Sequence, residues 1–268
     1  MKLLAINGSP RKKLSNTDRM LLPFIEGAKE SGADIDLVYL QGMKIKPCIG
    51  CFNCLLKTPG ECVQKDDMRG LLDLLREADV VVLATPLYVC GMTAQMKTMM
   101  DRIIPLALPF IEVKDGQCTH PFREGTKNSS MVLISNCGFH EKHHFNELVD
   151  HVQAFVRLGC RQYLGSLLRP HGPMMEIFDA LEPDRTKPVY EACREAGRFA
   201  GRNEAIPDAV LNRVSQELLP LTLPDNPMIP LISWGTSLPF FKVGLPNEKG
   251  TVIMVSKTRL TATTNGFM

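Results

Sequence analysis

The sequence contains no long apolar run and no concentration of positive charge. None of its apolar stretches approaches the ~20 residues that a membrane-spanning helix requires. The formal net charge is only +2, and the longest basic run is Arg11-Lys12-Lys13, whereas nucleic-acid binding needs basic residues gathered on one face. The first apolar run is short and ends at Gly8-Ser9-Pro10, which is not the pattern of a secretory leader. We therefore expect a cytoplasmic protein with no membrane span and no nucleic-acid partner.

The cysteines lack the even count and regular distribution of a disulfide framework. There are nine, and four of them fall between Cys48 and Cys62. An odd number in a chain without a leader pattern favours reduced thiols. The four clustered cysteines therefore indicate metal chemistry, while the scattered ones suit small core residues.

Short apolar runs alternate with segments of helical periodicity along the first two thirds of the chain. The predicted strands cover residues 2–7, 34–40, 79–85, 131–135 and 160–168. Strands that alternate with helices of 10–15 residues favour parallel pairing through right-handed crossovers. The fold class is therefore α/β, a doubly wound five-stranded parallel sheet in the flavodoxin-like order 2-1-3-4-5.

The character of the sequence changes after about residue 175. We expect a domain over residues 1–175 with a cysteine-rich insert at 46–64, and a helical extension over 176–218. Residues 219–268 are rich in proline but too apolar for a disordered linker. This tail is expected to pack on the core or on a neighbouring subunit.

The segment from Gly8 to Thr17 joins the first strand to the first helix, at the sheet edge where doubly wound folds bind ligands. Free backbone N–H groups and the positive end of the helix favour a phosphate there. The polar donors are Ser9, Ser15, Asn16 and Thr17, and Arg11 adds a cation. The segment has neither G-x-x-x-x-G-K-[ST] nor G-x-G-x-x-G, so a P-loop or dinucleotide fingerprint is excluded. A plain strand-to-helix turn with a polar cap is the alternative.

The cysteine cluster has the spacing Cys48-x2-Cys51-x2-Cys54-x7-Cys62. Three thiolates this close, with a fourth from a short loop, suit one iron–sulfur cubane. Structural zinc sites usually separate two cysteine pairs by a longer spacer. A zinc site, or cysteines that hold no metal, remain the alternatives.

The first loop, GSPR followed by Ser15-Asn16-Thr17, resembles the phosphate loop of the NAD(P)H-dependent FMN reductase family. A second segment from Ala84 to Arg102 resembles the same family's stretch (S/T)P-x-Y…K-x-x-x-D-R. With the compact cysteine motif, the chain resembles the iron–sulfur flavoproteins. The resemblance covers roughly residues 1–170.

This resemblance implies FMN and one [4Fe-4S] cluster as cofactors, with the chemistry carried by the cofactors rather than by catalytic side chains. The loop after the third strand is expected to contact the flavin ring through Pro86, Leu87, Tyr88, Val89 and Gly91. The loop after the fourth strand, with Asn136 and Gly138, is expected on the other side of the ring. The cluster ligands would be Cys48, Cys51, Cys54 and Cys62.

The implied function is electron transfer between NAD(P)H or a ferredoxin-like donor and an acceptor, in a homodimer or homotetramer. An NAD(P)H-dependent FMN or quinone reductase without a cluster is the first alternative. The second is a non-catalytic flavodoxin-like carrier or a zinc-stapled binding module.

Overall fold

The computed structural model describes residues 1–114, 116–159 and 162–218, together with two short strands in the tail. The chain divides into two compact units, Met1–Leu218 and Leu219–Met268. In the second unit, Phe240–Val243 pairs antiparallel with Ile253–Ser256. The expectation that the tail packs on the core or on another subunit lies outside the described residues.

The first unit is built on one parallel sheet. Its strands are β1 (Lys2–Asn7), β2 (Asp34–Tyr39), β3 (Val80–Pro86), β4 (Ser130–Asn136) and β5 (Tyr163–Arg169). They pair in the order β2-β1-β3-β4-β5, which confirms the predicted fold class. Strands β3 and β4 are buried along their whole length, as expected of uninterrupted apolar runs covered on both faces.

Helices cover both faces of the sheet. They are α1 (Asn16–Glu30), α2 (Asn53–Leu56), α3 (Met68–Glu77), α4 (Ala94–Asp101), α5 (Asn146–Arg157), α6 (Pro173–Leu181), α7 (Pro183–Ala200) and α8 (Asp208–Val214). The sequence pattern predicts a helix over residues 188–202, but α7 begins five residues earlier, at Pro183, and contains Pro188. A small antiparallel hairpin, Glu112–Lys114 with Gln117–Thr119, precedes β4. Among the described residues, no helix is both long and apolar enough to cross a bilayer; the cytoplasmic location stays a prediction.

Helix α7 packs on α1 through glycines. A Cβ on Gly27 would stand 1.7 Å from the carbonyl oxygen of Arg194, and one on Gly197 would stand 1.9 Å from that of Phe24. Such distances leave no room for any side chain, so the two helix backbones touch directly. Residues 176–218 belong to the same compact unit as the sheet. The division of the chain into an FMN-binding domain over 1–175 and a helical extension over 176–218 stays a prediction.

Candidate functional site

The carboxyl ends of β1, β3 and β4 carry buried polar side chains. Asn7 ends β1, Thr85 precedes the last residue of β3, and Asn136 ends β4. The loops that follow add more buried polar residues, namely Ser9, Ser15, Asn16, Thr17, Asp18 and Thr93. Buried polar groups in such number at one sheet edge are costly unless they are hydrogen-bonded or meet a ligand.

The first loop forms a compact polar turn at the start of α1. The Ser15 hydroxyl oxygen accepts from the backbone N–H of Asp18 (3.1 Å) and caps the helix. The Ser9 hydroxyl oxygen accepts from the backbone N–H of Arg11 (3.3 Å), whose side chain is exposed. The N–H groups of Asn16 and Thr17 belong to the first turn, where a helix offers them no carbonyl partner. The predicted phosphate-loop residues therefore lie together, with helix donors facing the loop.

The first, third and fourth strand loops are joined by hydrogen bonds. The Asn136 side-chain amide donates to the Thr17 hydroxyl (2.7 Å), and the backbone N–H of Leu87 donates to the carbonyl of Asn136 (2.8 Å). The Thr93 hydroxyl donates to the carbonyl of Gly8 (2.7 Å). These contacts bring the three predicted flavin loops to one edge of the sheet, as the sequence led us to expect.

A second polar layer lies behind the first loop. Asp18 is 1% exposed, and its Oδ1 accepts from the Tyr39 hydroxyl (2.8 Å) and the Asn7 amide (3.2 Å). Burial raises the pKa of Asp18, against the lowering effect of those two hydrogen bonds. The Asn7 oxygen in turn accepts from the backbone N–H of Ser9 (2.8 Å). The sequence analysis did not predict this layer of Asn7, Asp18 and Tyr39. The signal that could have indicated it is Asn7, a polar residue at the end of a buried strand.

The loop after β3 contains a tight and strained turn. Tyr88 and Gly91 exchange two backbone hydrogen bonds, of 2.9 and 3.0 Å. The two residues between them have left-handed backbones, with φ of 48° at Val89 and 60° at Cys90. Such a φ is a real outlier for a β-branched residue, and such strain clusters at ligand sites. Val89 is fully exposed and Tyr88 is 47% exposed, so this turn presents apolar surface to solvent.

The loop after β4 divides into a buried start and an exposed continuation. Asn136 and Cys137 are buried, whereas Gly138 and Phe139 are exposed. Phe139 stacks on His144 with ring centroids 4.4 Å apart. A Cβ on Gly138 would meet nothing within 4 Å, so open space adjoins this predicted position.

The four clustered cysteines lie in one exposed loop between β2 and α3. None forms a disulfide; Cys48 and Cys51 are exposed, and Cys54 and Cys62 are half-buried. Burial raises the pKa of Cys54, and the charges of Cys62, Cys51 and Cys48 raise it further, so the thiols are close enough to interact. Within the described residues, no three Cys, His, Asp or Glu side chains already stand in a metal-holding arrangement.

The cysteine loop nevertheless has the chemistry that a cluster requires. Thiolate sulfur is the usual ligand of iron–sulfur clusters, and four thiols lie in one loop. Gly50 and Gly60 take left-handed backbones, with φ of 63° and 84°, which let the chain bend sharply. The donor set therefore fits an iron–sulfur cluster, and the geometry of coordination belongs to the proposal below.

Comparisons with known proteins separate the N-terminal region from the rest of the chain. Residues 1–116 match the family described as NADPH-dependent FMN reductase. An iron-sulfur flavoprotein of Archaeoglobus fulgidus is 46% identical over 105 residues, covering 39% of this chain and 46% of that protein. One from Methanosarcina thermophila is 35% identical over 106 residues, covering 40% and 54%. The chain thus spans about half the length of the curated relatives that it matches.

Solved structures share the fold over a longer stretch. An FMN-dependent NADH-azoreductase from Bacillus anthracis, solved with FMN, has a TM-score of 0.54 at 16% identity and covers 75% of this chain and 99% of its own. An NAD(P)H:quinone oxidoreductase from Methanothermobacter marburgensis has a TM-score of 0.51 at 15% identity, covering 75% and 96%. At these identities the likeness shows the fold alone.

Proposed function

We propose that the chain, whose first 116 residues match the NADPH-dependent FMN reductase family, is an FMN-dependent oxidoreductase of the iron–sulfur flavoprotein type. It moves electrons between NAD(P)H or a ferredoxin-like donor and an acceptor. The observation that carries the proposal is the buried polar edge formed by the loops after β1, β3 and β4. That edge has the buried polar donors that a flavin phosphate requires, and open space adjoins Gly138 beside it.

The first loop holds the phosphate of FMN in this proposal. The N–H groups of Asn16 and Thr17 donate to it, aided by the positive end of α1. The Thr17 hydroxyl oxygen already accepts from Asn136, so its own proton donates to the phosphate. The side-chain oxygen of Asn16 is buried without a hydrogen-bond partner, which supports a ligand or water beside it. Ser9 and Ser15 shape the turn, and Arg11 supplies positive charge.

The strained turn from Pro86 to Gly91 contacts the flavin ring on one side, and Asn136 with Gly138 contacts it on the other. Bound FMN would supply the exchange between two-electron hydride chemistry and one-electron transfer. The side chains orient the ring and exclude water from it; none of them is assigned an acid–base step.

Cys48, Cys51, Cys54 and Cys62 hold one [4Fe-4S] cluster in this proposal. The curated relatives bear the name iron-sulfur flavoprotein, which supports the assignment beside the donor set. The cluster would supply one-electron capacity next to the flavin. The loop also exposes Ile49, Phe52 and Leu56, and exposed apolar side chains in such number suit a subunit contact. We therefore propose a homodimer or homotetramer, which light scattering of the purified protein tests.

Flavin binding is tested on the double variant Ser9→Leu/Asn16→Leu. We expect it to purify without yellow colour, because two bulky apolar side chains would break the polar turn and occupy the place of the phosphate. Thr17→Val keeps the side-chain shape and should weaken FMN binding about tenfold, the effect of losing a hydrogen bond to a charged group. Thr58→Val, an exposed residue in the cysteine loop, is the matched control. Stoichiometric FMN in the purified double variant would refute the proposed phosphate site in the first loop.

The cluster is tested by anaerobic purification and metal analysis. We expect about four iron and about four sulfide per chain, lost when any of the four cysteines is changed to serine. Cys118→Ser, at an exposed cysteine outside the loop, should keep both. One zinc per chain without sulfide, or no metal at all, contradicts the cluster but leaves the flavin proposal standing.

Catalysis is tested by steady-state oxidation of NADPH and NADH with a quinone or an azo dye as acceptor. A reductase oxidises at least one of the two nucleotides in many turnovers per flavin. A pure electron carrier reduces the acceptor only after chemical or ferredoxin-like reduction. Negligible turnover with both nucleotides would therefore exclude NADH and NADPH as electron donors. Two alternatives would then remain: an enzyme reduced by a ferredoxin-like protein, or a non-catalytic electron carrier.

A further inference from the structure

A buried arginine stands at the base of the cysteine loop. Arg102 directly follows the last residue of α4, and its side chain is 1% exposed. Its two terminal nitrogens donate to the two carboxylate oxygens of Asp66, at 2.8 and 3.0 Å, and the Asp66 side chain is 3% exposed. A charged pair so deeply buried is costly to desolvate and needs good geometry and further hydrogen bonds.

Those further hydrogen bonds come from both ends of the cysteine loop. Arg102 donates to the carbonyl of Lys46 (2.5 Å), and the Lys46 N–H donates to Asp66 (3.0 Å). The Met68 N–H donates to the other Asp66 oxygen (3.2 Å). We call Lys46, Asp66 and Arg102 the neck of the loop, because they join the segment before Cys48 to the segment after Cys62.

The cysteine loop has no core of its own to replace the neck. Apart from the side chain of Asp66, no residue from 46 to 67 is buried. Arg123 also contacts the loop and donates to the carbonyl of Cys54 (3.2 Å). Because segments with few buried contacts open readily, we infer that the closure of the neck sets where the four thiols stand.

The guanidinium also has one donor that the neck does not use. Its Nε is buried without a hydrogen-bond partner, and an unmet buried donor costs free energy. Arg102 therefore acts on the neck through its two terminal nitrogens.

We propose that Arg102 is the positioning residue of the cysteine loop: with Asp66 it ties the two ends of the loop together and so fixes where the four thiols stand. The inference rests on the proposed function only for the identity of the group that the thiols hold. Thr93, beside the flavin turn, caps the start of helix α4, and Arg102 directly follows its last residue. Eight helical residues span about 12 Å, so this helix fixes the spacing between the two sites.

The test compares full-length variants purified anaerobically. Arg102→Gln/Asp66→Asn replaces both charges with neutral amides of similar shape, so neither charge is left buried alone. Arg102→Lys keeps the charge but loses the planar fork that binds both carboxylate oxygens. Arg69→Gln is the matched control: Arg69 also pairs with the loop, at Glu61, but that pair is 75% and 69% exposed.

Two measurements separate positioning from mere stability. Amide hydrogen exchange over residues 46–66 should accelerate at least tenfold in the double variant and in Arg102→Lys, since the neck opens more often. The midpoint potential of the cluster should differ from wild type in both variants, because the neck no longer holds the four thiols in one arrangement. Arg69→Gln should change neither the exchange rates nor the potential.

Wild-type exchange rates in the double variant would overturn the closing of the loop by the neck, and an unchanged potential in both variants would overturn its hold on the four thiols. If the wild-type chain contains no iron, the cluster proposal fails on its own, while the exchange measurement still tests Arg102. The two failures are therefore distinguishable.

Discussion

Replacing Gly197 by alanine tests the crossing of α1 and α7, and through it the support of the proposed phosphate loop. The added Cβ would lie 1.9 Å from the carbonyl oxygen of Phe24, 2.8 Å from the carbonyl carbon and 2.9 Å from the backbone nitrogen of Ala28. Ordinary contact begins near 3.4 Å, so the helices must separate by about 1.5 Å. All three atoms are backbone, and none can rotate away.

The magnitude follows from two opposing terms. Forcing an extra methyl into a filled interior costs about 3 kcal/mol at the upper end of the usual range, and the rigid backbone neighbours favour that end. Alanine in place of glycine inside a helix contributes about 1 kcal/mol of stability. The free energy of unfolding should therefore fall by about 2 kcal/mol, equivalent to a drop of about 4–8 °C in Tm for a unit of this size.

The matched control is Gly70→Ala. Gly70 also lies in a helix, α3, but a Cβ there would meet nothing within 4 Å. The same substitution should leave stability unchanged or raise it by up to about 1 kcal/mol. Urea unfolding followed by circular dichroism measures both variants, and FMN titration adds a second readout. Because α1 begins at the phosphate loop, its displacement should weaken FMN binding in Gly197→Ala but not in Gly70→Ala. Equal or greater stability of Gly197→Ala relative to Gly70→Ala would show that the crossing is wrong.

Three further predictions concern the edge of the sheet. Thr93→Val removes the hydroxyl that donates to Gly8 and caps α4, and should cost about 1–2 kcal/mol in urea unfolding; an unchanged midpoint contradicts it. Val89→Asn should stabilise the FMN-free protein by about 1 kcal/mol, because asparagine tolerates the left-handed backbone and Val89 packs on nothing that shields it from solvent; a loss of stability contradicts it. Burial, with the charges of His140 and Arg169, lowers the pKa of His171 from 6.5 to about 4. Unfolding free energy should therefore decrease as pH falls from 6.5 to 4, where only the unfolded chain gains that proton. His171→Asn should flatten this decrease, whereas exposed His151→Asn should not.

The sheet was predictable because its evidence is local. The run Val80–Thr85 is β-branched and uncharged, and it bounds a segment of helical periodicity. Alternation of such runs with helices favours parallel pairing of the strands through right-handed crossovers. The observed strand order agrees with the predicted one. The start of α7 was harder to predict, since both Pro183 and Pro188 suit a first turn, and the helix begins at Pro183.

The candidate site was predictable in part. Ser15 caps α1 as its position before a helical pattern indicates, and the four cysteines share one loop. The hydrogen bond between Asn136 and Thr17 joins residues 119 positions apart. Nothing in the sequence around either residue indicates this contact. The left-handed backbone of Val89 was equally hidden, because sequence patterns assign such turns to glycine or asparagine.

The sequence by itself determined which segments become strands, where the loop after β1 begins, and which thiols share one loop. These properties depend on neighbours within a few residues, through backbone preferences and spacing. Only the tertiary structure decided that α7 lies against α1 without intervening side chains, that Asn136 reaches Thr17, and that Arg102 closes the cysteine loop on Asp66. Each of these depends on where the sheet brings distant residues together, and on the free-energy cost of burying a charge or a polar group without its partner.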